Sequence, residues 1–208
     1  MPVKRFAFSL SGTKKRQLPR TLSASLAVFD QNILTIFLEN IIIKGKEIIM
    51  FNIIEYENKI NNFYEIISKN EDIVNIKLSD EKWTLKEMIG HLIDSASNNH
   101  QRIIRLQIDK IIYFPAYEAE DWKNITKINE HNINGLKILW KEFNYYILHL
   151  IKNISEENLS NIWEINGKEL TLKFIIEDYF GRHLDWHIEL YKKRIEEIIE
   201  NKNSQTST

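Results

Sequence analysis

Apolar residues return at Ile53, Tyr56, Ile60, Phe63 and Ile67, in steps of three and four that place them on one face of a helix from Met50 to Asn70. A second stripe, Leu85, Met88, Leu92, Ala96, Ile103 and Leu106, starts just after Thr84. Thr84 and Glu87 have the spacing of a capping box, in which each side chain satisfies an orphan amide at the helix start. The pattern breaks around Pro115, where Phe114, Tyr117 and Trp122 add aromatic bulk. It resumes in a third helix from about Thr126 to Asn153, through Ile133, Leu136, Trp140, Phe143, Ile147 and Leu150. Residues 161–172 alternate around Asn166-Gly167, a strong hairpin signal. A fourth helix follows from about Thr171 to Ile199. Four amphipathic helices with short connections predict an all-α fold, an up-down four-helix bundle with a hairpin-like connection before the last helix.

The two ends read differently from this body. Between Met1 and Phe29 the charges are all basic, with no acid until Asp30. Residues 1–49 carry roughly +5, leaving about -6 on the remainder, an asymmetry that marks a separate segment. We expect residues 1–49 to form an N-terminal extension outside the folding unit. A transit-like presequence and a surface helix are the competing readings. The apolar run from Ile33 to Ile43 is too short to span a bilayer, which needs roughly 20 residues. The bundle domain is expected over residues 50–200, and the Ser/Thr/Asn-rich stretch 201–208 is expected to be a disordered tail.

Composition narrows the function. The 208 residues include 6 Gly, 3 Pro and no Cys, which argues against a turn-rich β fold and excludes a disulfide scaffold, a thiolate metal site and a cysteine nucleophile. A formal charge of -1 and a pI near 6.6 give no pull toward nucleic acid or membrane. Neither partner is expected, and the location expected is the cytoplasm.

Histidine carries the candidate chemistry. On the fourth helix, Leu172, Ile176, Tyr179, His183, His187 and Leu190 share one narrow sector, so two imidazoles sit in the middle of a core stripe. Residues four apart stand about 5–6 Å apart at Cβ, close enough to grip one ion. An unsatisfied buried polar group costs on the order of 1–3 kcal/mol, so each ring needs either a metal or a hydrogen-bonding partner such as a carbonyl, a Tyr hydroxyl or water. His91, at the margin of the second stripe, is the candidate third ligand, and three ligands leave one position open, as catalytic sites do. Asp94, one turn further on, could orient a ligand, act as general base, or cap a surface. Leu184 follows His183 where a zincin protease needs Glu. No Glu stands three residues before any histidine, which excludes a ferritin-like di-iron motif. His131 and His149 read as solvated or hydrogen-bonded, His100 as a possible pocket residue, and Phe114, Tyr117, Trp122 and Trp140 as core.

Trp83-Thr84, Glu87 and Ile89-Gly90-His91-Leu92-Ile93-Asp94-Ser95 resemble the second-helix motif of the DinB-like proteins, which include the YfiT-type metal-dependent hydrolases. Glu177-Asp178-Tyr179, His183 and His187 resemble their last-helix motif. Asn98-Asn99-His100-Gln101-Arg102, and Phe114-Pro115-Ala116-Tyr117 followed by Trp122, resemble a bacterial subgroup of that family. The match covers about Met50 to Ile199. The resemblance implies a four-helix bundle, often dimeric, with His91, His183 and His187 around a divalent ion, zinc or nickel foremost. It implies a small-molecule substrate and either hydrolysis, with Asp94 as base, or transfer of a low-molecular-weight thiol such as bacillithiol or mycothiol. For a chain without cysteine, that thiol would come from the co-substrate. A non-catalytic metal- or ligand-binding bundle serving dimerisation is the alternative.

Overall fold

The computed structural model describes residues 51–206, so the extension expected over residues 1–49 lies outside the described residues. Helix α1 (Ile53–Lys69) buries Tyr56, Ile60, Phe63 and Ile67 and is capped by the Asn52 side chain. Helix α2 (Leu85–Arg105) opens on the expected capping box. The Glu87 amide donates to Thr84 Oγ1 at 3.1 Å, and the Thr84 amide donates to the Glu87 carboxylate at 2.7 Å.

The third long helix starts later than its apolar pattern predicts. A short helix α3 (Ala119–Thr126) ends at Lys127, which adopts a left-handed φ of 47°. A 3-10 turn, Ile128–Glu130, follows, and α4 (Ile133–Ile151) begins only after the Asn132 side chain caps it. Packing explains the detour. Ile128 is buried directly on Gly90 of α2, where an added Cβ would stand 2.5 Å from Ile128 Cγ1.

The last helical stretch is also broken. It consists of α5 (Leu172–Asp178), a π-type turn over Tyr179–His183 and α6 (Leu184–Thr206). Gly181, with φ -93° and ψ -108°, leaves helical geometry. Such an insertion shifts the face that follows it. Beyond it the buried positions are Leu184, His187, Tyr191, Arg194 and Ile198, and Leu190, expected on the core stripe, is only half-buried. Helix α6 continues through Asn201–Thr206, where the sequence alone suggests a disordered tail.

Side-chain pairs fix how the helices run. Glu57 meets Lys152, Phe63 meets Trp140, and Ser68 meets Lys137, so α1 and α4 are antiparallel. Tyr56 stacks on Phe180, Lys59 pairs with Asp185, and Phe63 meets Tyr191, so α1 and the last helix are parallel. His91 faces His187, and Arg194 donates to the Trp83 carbonyl, so α2 and α6 are antiparallel. With α1 up, α2 and α4 run down and α6 runs up. Helix α4 packs on both α1 and α2. The simple up-down order expected from the sequence is therefore replaced by up-down-down-up. Two consecutive long helices share a direction because residues 106–132 carry the chain back along the bundle.

The fold is mostly helical but not purely all-α. Strands β1 (Ile111–Ile112), β2 (Ile162–Ile165) and β3 (Lys168–Thr171) form a small sheet. β2 and β3 are the expected hairpin, with Asn166 and Gly167 both at positive φ, 50° and 71°, as a tight two-residue hairpin turn requires. β1 joins β2 in parallel, pairing Ile111 with Ile162 and Ile112 with Trp163. Among the described residues, no helix is long and apolar enough to cross a membrane.

Candidate metal centre

Helices α2 and α6 cross where His91 faces the start of α6. The stripe of α2 and the turn at Gly181 bring His91, His183 and His187 together, with one ring nitrogen of each inside a set whose members all lie within 4.8 Å of one another. His91 Nε2 and His187 Nε2 are 3.1 Å apart. The ring centres of His183 and His187 are 4.6 Å apart and those of His91 and His187 are 4.7 Å apart.

The rings are held neutral. Burial pushes His91 down to about 4, aided by the nearby charge of His183. Burial, with the two neighbouring rings, pushes His187 down to about 3. His183 is also lowered by burial, although Asp178 acts in the opposite direction. Neutral imidazole is the form that offers a lone pair to a metal.

The donor set fits a divalent cation. His183 Nδ1 and His187 Nδ1 are buried without a hydrogen-bond partner, so these rings are not the fully satisfied core histidines that the sequence also allows. Nitrogens bound tetrahedrally at about 2.0–2.1 Å stand about 3.4 Å apart. The observed 3.1 Å pair is already close to that spacing, and the third ring nitrogen lies within 4.8 Å of both. Tyr117 Oη lies 3.4 Å from His91 Nδ1. An outer partner of this kind fixes the tautomer and leaves Nε2 free to ligate.

Around the rings lies an apolar chamber of about 500 Å³, lined by Trp83, Met88, His91, Trp186, His187 and Leu190 among others. Trp83 meets the His91 ring edge-on at 5.4 Å and Trp186 meets His187 at 4.5 Å. Trp186 is 59% exposed, which puts it at the mouth. The volume suits a small ligand.

The remaining candidates separate cleanly. Asp94 stands one turn past His91, half-buried, and lies outside the three-ring set and the chamber around it. Burial pushes its carboxyl up to about 6. His100 packs on Phe143 and Tyr146 of α4, away from the centre. His131 and His149 are exposed. Trp140 is core, but Tyr117, read from the sequence as core, is a partner of His91. Trp186 and Arg102 also escape sequence reasoning, although Ser95, Asn99 and Arg102 repeat at helical spacing on one face of α2.

No family model matches the chain. In sequence it is 24% identical over 148 residues to a protein of Oceanobacillus iheyensis named "Putative metal-dependent hydrolase", covering 70% of this chain and 80% of that relative. In structure it matches YfiT from Bacillus subtilis, described as a probable metal-dependent hydrolase with an unusual four-helix bundle topology. The TM-score is 0.61 at 16% identity, over 73% of this chain and 88% of that one. The resemblance to YfiT-type metal-dependent hydrolases first carried by the histidine motifs therefore holds in sequence, in fold and in the meeting of three rings.

Proposed function

We propose that the chain is a divalent-metal-dependent hydrolase acting on a small molecule, with His91, His183 and His187 as ligands and zinc or nickel as the ion. The observation that carries this is the convergence of three neutral imidazoles, two with orphan nitrogens, at the wall of an apolar chamber. A divalent ion held by these three rings would supply Lewis acidity there.

The protein's own groups do the rest. Tyr117 holds the His91 ring by its Nδ1 side and presents Nε2 inward. Trp83, Met88 and Trp186 exclude water and receive the apolar part of the substrate. Asp94, the base expected from the sequence, has a carboxyl raised by burial to about 6 but stands outside the chamber, so no general-base role is assigned to it. The names of the two relatives support the same class of reaction.

Elemental analysis of purified protein, beside the His91→Ala, His183→Ala and His187→Ala variants, tests the ligand set. The expected result is close to one ion per chain, lost in each variant. An unchanged metal content in any of the three contradicts it. Metal-dependent turnover of a panel of small esters and amides tests the reaction. Retained metal without turnover there would instead support a binding bundle, and turnover only with an added low-molecular-weight thiol would support thiol transfer.

A further inference from the structure

A second chamber of about 190 Å³ adjoins the centre and is lined by Asn99, Arg102, Tyr117, Trp163, Asp178 and His183 among others. His183 thus lines both chambers. The small sheet builds one wall, because Trp163 and Leu170 are directly paired across β2 and β3 and both line the space. Trp163 is fixed there by its indole, which donates to the Phe114 carbonyl at 2.7 Å.

Arg102 in this chamber is a buried charge without an ionic partner. It is only 7% exposed, yet no carboxylate pairs with it. Its Nη1 donates to Asn99 Oδ1 at 3.2 Å, and its guanidinium carbon lies over the Trp163 ring, 3.9 Å from the centroid. The Nε atom is buried with no partner, and among the described residues Nη2 makes no hydrogen bond, Nη1 alone being engaged. The one carboxylate lining the chamber, Asp178, is held by Arg182 at 2.7 Å and 2.6 Å. A buried unpaired charge is costly, and the Nε–Nη2 edge left free is the edge that receives a carboxylate through two parallel hydrogen bonds.

We infer that Arg102 is a specificity residue that anchors a carboxylate of the substrate in this second chamber. Built on the hydrolase reading, the assignment makes the substrate a small acid. Its carboxylate lies on Arg102, supported by Asn99 and Trp163, and its reacting group reaches past His183 to the three rings. A chamber of this volume accommodates a carboxylate on a short chain, and the larger chamber takes the remainder.

The test uses metal-free full-length protein, so that carboxylate binding to a metal cannot contribute. Propanoate and succinate are titrated against propanamide, which has the same shape as propanoate without the charge, with Trp fluorescence and calorimetry as readouts. The expected result is binding of the acids at least tenfold tighter than the amide. Arg102→Gln should remove that preference, and Arg102→Lys, which keeps the charge but not the fork, should restore only part of it. Equal binding of propanoate and propanamide by the wild-type protein overturns the assignment without reliance on any variant's folding. An acid preference that survives in folded Arg102→Gln also overturns it. Titration of zinc or nickel into the same metal-free preparations separates the two ideas. No acid preference in the unaltered protein, with metal binding intact, defeats only the Arg102 assignment, and acid preference without any metal binding defeats only the hydrolase reading.

Discussion

Lowering the pH from 7.5 to 5.5 should destabilise the metal-free protein by about 2 kcal/mol, because the fold keeps its site histidines neutral. An unfolded histidine titrates near 6.5, whereas His91 is held at about 4 and His187 at about 3. Between those values the unfolded chain binds more protons than the native one, so stability is fully present above pH 6.5 and is lost as the pH falls. One unit below 6.5, each ring removes about 1.4 kcal/mol, or about 3 kcal/mol for the pair. His183 acts in the same direction. Asp94 opposes them. Its carboxyl, raised to about 6, takes up a proton in the fold before the unfolded chain does, which offsets about 0.8 kcal/mol at pH 5.5. Glu87 and Glu197 are held low by their partners and titrate below this window. The net loss corresponds to a fall in Tm of about 4–8 °C for a domain of this size. Thermal melts in chelator at matched ionic strength measure it, and a double His91→Asn, His187→Gln variant should flatten the slope. A Tm that is unchanged or rises between pH 7.5 and 5.5 refutes the reasoning.

The same shifts predict that divalent-metal affinity, followed by calorimetry, weakens by less than about tenfold from pH 7.5 to 5.5, whereas an exposed three-histidine site would lose about a thousandfold. Tyr117→Phe should lower that affinity by about 10–100-fold, as loss of an outer-shell partner does, with an unchanged circular dichroism spectrum. Gly90→Ala should lower Tm. The gain of about 1 kcal/mol in helix propensity is outweighed by a Cβ placed 2.5 Å from Ile128 Cγ1 and 3.0 Å from its Cβ, and overpacking of this kind costs about 1–3 kcal/mol.

Local chemistry was legible wherever one residue type has one structural use. Thr84 with Glu87 could be read as a capping box, Asn166-Gly167 as a hairpin turn, and His183 with His187 as two rings on one face, because each depends on neighbours close in sequence. Helical periodicity tells which face of a helix is buried but not which helix covers it. The direction shared by α2 and α4 therefore emerges only from pairs such as Phe63 with Trp140 and Tyr56 with Phe180. Strand β1 is two residues long, too short to show alternation. The turn at Gly181 shifts the buried face from Leu190 to Tyr191, and a periodic stripe cannot announce its own interruption. Arg102 was hidden for a related reason: a charge on a helix margin reads as solvated until Trp163, 61 positions later in the chain, is placed against it.

X-ray absorption at the metal edge of zinc- or nickel-loaded protein tests the central claim most directly. The account predicts one ion with three imidazole nitrogens at about 2.0–2.1 Å, and loss of that bound ion when any one of His91, His183 or His187 is replaced by alanine. A first coordination shell with fewer than three imidazoles in the unaltered protein, or one that is indifferent to those substitutions, would contradict it.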